Sequence, residues 1–138
     1  MAQLMALDIG AKRTGIAITD ELQIIASGYS TVLTHELIGF LKIYFEEHVV
    51  EKLVVGLPKR LHNELSDSYK FVEAQMNLIS EYFPDLEVVF IDERFTSKMA
   101  KKVLYQSGLT KKKRQNKALV DEISATIILQ SFLTQKQS

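Results

Sequence analysis

Three apolar, β-branched runs occupy residues 3–8, 15–19 and 24–33, and the turns between them are too short to hold a crossover helix. Strands joined this way pair antiparallel, so the chain opens on a meander. From residue 34 the periodicity changes. Leu37, Leu41, Tyr44 and Phe45 recur at helical spacing behind Thr34, which reads as an N-cap. KLVVGLP at 52–58 is a short apolar run halted by Gly56 and Pro58, the signature of a buried parallel strand. A second helix, from about Ser66, sets Phe71, Val72, Gln75, Leu78, Ile79 and Tyr82 on one side and stops before Pro84. LEVVFI at 86–91 is a further strand. Thr96 can cap a helix that runs to Ser107 with Gly108 as its stop, and a last helix covers roughly 118–134. The order βββαβαβαα predicts an α/β fold: a mixed five-stranded sheet, antiparallel meander plus parallel strands, flanked by helices. The 138 residues suit one domain, 1–138.

The formal net charge is zero, yet its distribution is uneven. From Arg94 to Lys117 there are nine basic residues (Arg94, Lys98, Lys101, Lys102, Lys111, Lys112, Lys113, Arg114 and Lys117) and no acid, which leaves eight basic residues against all 17 acids elsewhere. A short run of lysines is often a solvated helix face or loop, but an acid-free stretch of this length attracts phosphate backbones. Cysteine is absent, which excludes disulfides, a thiolate nucleophile and Cys-ligated metal, and gives the cytoplasm as the expected location. Neither a basic, apolar leader nor a run of roughly 20 apolar residues is present, so no membrane association is expected.

Against this background three carboxylates stand out. Asp8 closes the apolar run LMAL, where an ionised group is costly unless it is paired or coordinated; the plain alternative is a turn aspartate bonded to nearby backbone. Asp121 falls within about 80° of Ala118, Ala125, Ile128, Leu129 and Phe132 on a helical wheel, so it faces inward. A favourable helix dipole would explain its place in the first turn but not that direction. Ile123 and Ile127 lie off this stripe and suggest cover on more than one side. In FIDERFTS, Asp92 and Glu93 follow a strand at the end where open α/β sheets keep their ligands, with Arg94 available as an ion-pair partner. Spacing does not choose between these two acids. If the strand bearing Asp8 is central, one acid from each of the three places converges, and acids without basic partners are reconciled by a hard divalent cation. Two such ions roughly 4 Å apart suit phosphodiester hydrolysis, with the basic segment holding nucleic acid.

LDIGAKRTGIAITD at 7–20, VVGLP at 54–58, IDERFTS at 91–97 and SGLTKKKRQNKALVDEISATIILQSFL at 107–133 resemble, in order and across nearly the whole chain, the YqgF/RuvX family of pre-16S rRNA nuclease and Holliday junction resolvase-like proteins. The resemblance implies the ribonuclease H-like fold, an acidic metal-binding and catalytic triad of Asp8, Glu93 and Asp121, and Mg²⁺ or Mn²⁺. It selects Glu93 over Asp92 and implies that Lys12 and Arg13 face substrate phosphates; from the charge distribution, Arg94, Lys111, Lys112, Lys113, Arg114 and Lys117 are expected to bind the same backbone. After GLP this chain departs from the family's usual Asn, polar residue and Gly, reading KRLHNELSDS instead; His62 there is read as a solvated loop residue rather than a base. The expected function is metal-dependent cleavage of structured nucleic acid, pre-rRNA before branched DNA, by a monomer or homodimer. Two rivals remain: a phosphate-loop ATPase, which would need a second such domain, and a non-catalytic RNA-binding module.

Overall fold

The computed structural model describes residues 2–57, 69–92 and 116–137. Strands β1 (Gln3–Ile9), β2 (Arg13–Thr19) and β3 (Ala26–Leu33) come first, followed by a 3₁₀ turn (Thr34–Glu36) and helix α1 (Leu37–Glu47). Strand β4 (Val50–Leu57), helix α2 (Tyr69–Tyr82), strand β5 (Glu87–Asp92) and helix α3 (Lys117–Gln137) follow. The sheet order is β3-β2-β1-β4-β5, with β1 antiparallel to β2, β2 antiparallel to β3, and β1, β4 and β5 mutually parallel. This is the mixed five-stranded sheet expected, with β1 at its centre. The expected helix at 96–107 and the loop after Pro58 lie outside the described residues.

β1 and β4 read as continuous apolar runs because both their faces are covered. On one face Met5, Leu7, Ile9, Ile16, Leu53 and Val55 pack with Leu37, Leu41 and Tyr44 of α1 and with Val72 and Ile79 of α2. On the other, Leu4, Ala6, Ala17, Val54 and Ile91 pack with Ala125, Ile128, Leu129 and Leu133 of α3. Small residues at 6 and 17 let α3 lie close to the sheet, and the period-2 pleat assigns every strand residue to one of the two layers. Ile127 is also buried, so α3 is covered beyond a single stripe, as its sequence suggested. Among the described residues no helix is long and apolar enough to cross a membrane.

Two local expectations are corrected. Thr34 does not cap α1: that helix has Glu36 at its N-cap, with no side-chain hydrogen bond there. The Thr34 hydroxyl is instead buried and turned toward the β1–β2 turn. The last helix begins at Lys117, its end capped by Asn116, whose Oδ1 accepts from the Ala118 N–H (3.0 Å) and the Leu119 N–H (3.3 Å). Asp121 therefore lies beyond the first turn, where the helix dipole gives it little support.

Candidate functional site

The site is built from the C-terminal end of β1, the turn after it, and the start of α3. The Gly10 N–H donates to the Arg13 carbonyl at 2.9 Å, closing the turn that carries Lys12 and Arg13. That turn is clamped from the far side of β3. The Thr34 N–H donates to the Lys12 carbonyl (3.0 Å), and the Thr34 hydroxyl donates to the Gly10 carbonyl (2.7 Å). With its one proton so committed, Thr34 Oγ1 must accept from the Thr14 hydroxyl, 2.9 Å away. Both threonines are buried, which makes this a fixed mount for the exposed Lys12 and its neighbour.

The pleat puts Asp8 on the face of Leu4 and Ala6, the α3 side, and its register partner on β2 is Gly15. Directly over Gly15 lies the main chain of Asp121: a Cβ built on Gly15 would collide with the Asp121 carbonyl and sit 3.1 Å from the Asp121 Cβ. Only a residue without a side chain admits the helix at that distance. The sideways offset between Asp8 and the strand residue beneath Asp121 is one interstrand spacing, about 4.8 Å. Gly28 of β3 repeats the arrangement more loosely, and the Thr31 hydroxyl donates to the Ala118 carbonyl at 2.7 Å, so two strands hold the start of α3. Two acids 113 positions apart in the chain thus share one corner of the sheet.

Asp121 has a cationic partner there. Arg13 Nε donates to its Oδ2 at 2.9 Å, the two side chains being 31% and 23% exposed. The expectation of acids without basic partners is therefore wrong for Asp121, and Arg13 is turned toward the carboxylate. Burial pushes the Asp121 carboxyl above the ordinary carboxylate value, against the hydrogen bond and charge of Arg13 and the charge of Lys117. One guanidinium N–H compensates only part of the desolvation.

Asp92 ends β5 at the same edge of the sheet, beside Leu57, but with its exposed side chain on the face opposite Ile91 and α3. Glu93, Arg94 and the basic cluster Lys111, Lys112, Lys113 and Arg114 lie outside the described residues, whereas Lys117 is exposed at the first position of α3. Among the described residues no group of three or more His, Cys, Asp or Glu side chains is disposed to hold a metal. Asp8 and Asp121 nevertheless offer what a hard divalent cation requires: carboxylate oxygens, partly buried, on one face of the sheet. Sequence reasoning singled out both acids as candidates. It missed Gly15 as the seat of Asp121 and Thr14 with Thr34 as the mount of the turn; the wide spacing of Gly10 and Gly15 around a basic pair was the only signal.

Residues 2–135 match the family described as RuvX: Holliday junction resolvase. A protein of Bacteroides fragilis named pre-16S rRNA nuclease is 50% identical over 137 residues, covering 99% of each chain. Relatives of the same name from Flavobacterium johnsoniae and Flavobacterium psychrophilum are 51% and 53% identical, again over 99% of both chains. Among solved structures, T. thermophilus RuvC in complex with a Holliday junction substrate superposes with a TM-score of 0.54 at 12% identity, covering 99% of this chain and 97% of that one, which is a likeness of fold.

Proposed function

This chain belongs to the RuvX family, and from that premise we propose that it is a nuclease hydrolysing phosphodiester bonds in structured nucleic acid with a divalent metal, processing the 5′ end of pre-16S rRNA. The name shared by relatives at about half identity over the full length supports the substrate. The observation that carries the chemistry is the seating of Asp121 on Gly15, one strand from Asp8, at the carboxyl end of the central strand.

In this reading Asp8, Glu93 and Asp121 hold the ion, Mg²⁺ or Mn²⁺. The alternation of β5 supports Glu93 over Asp92, because Ile91 faces α3 and Asp92 does not. The bound ion supplies activation of water and charge neutralisation at the scissile phosphate. The chain's own groups do the rest. The sheet and α3 fix Asp8 and Asp121 before substrate arrives, so these two need no reorganisation at the moment of reaction. Lys12, held out on the turn clamped by Thr34, meets phosphate oxygens as a mobile point charge, and Arg13 stands beside the acids with a planar fork suited to the same oxygens. Lys117 and the sequence cluster Lys111, Lys112, Lys113 and Arg114, with Arg94, extend the basic track along the backbone of the nucleic acid. Absence of cysteine supports a cytoplasmic location.

The family description favours cleavage of four-way junctions as the second reading, for which a homodimer would supply two cuts related by symmetry. A Mn²⁺-dependent cleavage assay on a pre-rRNA 5′ fragment and on a four-way junction, side by side, decides between them. Asp8→Asn and Asp121→Asn are expected to lose cleavage while keeping the fold and salt-sensitive binding. Retained cleavage in either variant would reject the assignment.

A further inference from the structure

We propose that Arg13 is a displaceable counterion: it occupies Asp121 when no metal is bound, yields that carboxylate to the divalent ion, and is thereby released toward substrate phosphate. The inference rests on the reading of Asp121 as a metal ligand and goes beyond it by giving Arg13 two alternating partners. Asp121 is held by α3 over Gly15, and the cation set against its partly exposed carboxylate is Arg13, 2.9 Å away. Arg13 meets it through Nε alone, in a single contact rather than the bidentate fork that guanidinium and carboxylate prefer, which leaves the terminal nitrogens outside that bond. The backbone of Arg13 is fixed, because its carbonyl closes the turn with Gly10 and its register on β2 pairs it with Leu33. Only the side chain is free to change partner. A cation arriving at Asp121 removes the reason for the contact, since two positive charges at one carboxylate repel. Linkage then makes the effect reciprocal: Arg13 weakens the ion, and the ion frees Arg13.

The test uses the full chain and MnCl₂ alone, without nucleic acid. Mn²⁺ affinity is measured by water proton relaxation for wild type, Arg13→Gln, Arg13→Lys and Asp121→Asn, with circular dichroism to confirm folding. Removing a partly exposed ion-pair competitor predicts Mn²⁺ binding roughly two- to five-fold tighter in Arg13→Gln. Arg13→Lys, which restores a cation, is expected to return toward wild type, and Asp121→Asn to bind much more weakly. A second readout is the Arg13 Nε–H resonance of the folded wild type, protected from exchange without metal and losing protection as Mg²⁺ saturates. Equal or weaker Mn²⁺ binding in Arg13→Gln, together with weakened binding in Asp121→Asn, overturns the counterion role and leaves the metal site standing. Wild-type affinity in Asp121→Asn overturns both. Should Arg13→Gln fail to fold, an Nε–H signal that stays protected at saturating Mg²⁺ still refutes the exchange of partners.

Discussion

Gly15→Ala tests the seating of α3 most directly. The new Cβ would be driven into the carbonyl of Asp121, a main-chain atom that cannot rotate aside. Ordinary contact at about 3.4 Å or more is regained only if the helix start rises by over an ångström, against the Thr31–Ala118 hydrogen bond and the packing of Gly28 beneath Glu122 and Thr126. Overpacking of this kind costs about 1–3 kcal/mol, and the immobile backbone partner puts it toward the upper part of that range, roughly 2–3 kcal/mol. At about 2.1 cal/mol/K per residue, 138 residues unfold with an entropy near 0.3 kcal/mol/K, so the melting temperature should fall by about 7–10 °C. Thermal and urea unfolding read the loss. Cleavage measured well below the melting point should fall as well, because the same shift lifts Asp121 away from Asp8. A variant melting within about 2 °C of wild type with undiminished cleavage would show that α3 does not rest on Gly15, and the argument for convergence of the two acids would go with it.

Thr34→Val leaves the Gly10 carbonyl and the Thr14 hydroxyl unpaired in the core and should cost about 1–3 kcal/mol, with Thr34→Ser restoring most of it; equal stability of the Val and Ser proteins in urea would contradict the clamp. For Asp121 the sign follows from a carboxyl pushed up by burial: its ionised form is disfavoured in the fold, so wild type gains relative stability as pH falls through the raised value. Asp121→Asn should accordingly melt no lower than wild type at pH 8, with any advantage shrinking toward pH 4, and a large loss at pH 8 would mean that the Arg13 pair outweighs desolvation. Replacing Lys111, Lys112 and Lys113 together by Gln should lower the slope of log binding constant against log salt by roughly 2–3, as counterion release at three phosphates requires. An unchanged slope would remove this cluster from the interface.

The sheet was legible because both periods were clean: apolar runs too close together for a crossover could only pair antiparallel, and later runs separated by helical patterns could only pair parallel. Asp121 was legible because a helical wheel converts one apolar stripe into a direction. Thr34 misled because a threonine before a helix looks the same whether its hydroxyl caps that helix or crosses to a turn 24 residues back. The Arg13–Asp121 pair spans 108 residues and had no local signature at all. Gly15 was visible as a glycine but not as a contact, since what demands the missing side chain belongs to the other end of the chain. Spacing alone did not choose between Asp92 and Glu93; the family resemblance did, and Glu93 lies outside the described residues.

The place of Asp8 on β1 has a bearing on assembly as well as on chemistry. Neighbouring positions on that strand point to opposite layers, so a slip of one residue between β1 and β2 would exchange the layers and thrust a carboxylate among Leu37, Leu41 and the other side chains beneath α1. Among the described residues that layer buries no cation to neutralise it, and the mispaired hairpin would carry the full cost of an ionised group in hydrocarbon. The acid proposed for cleavage would thus also disfavour the wrong strand alignment, before the rest of the sheet can form on it.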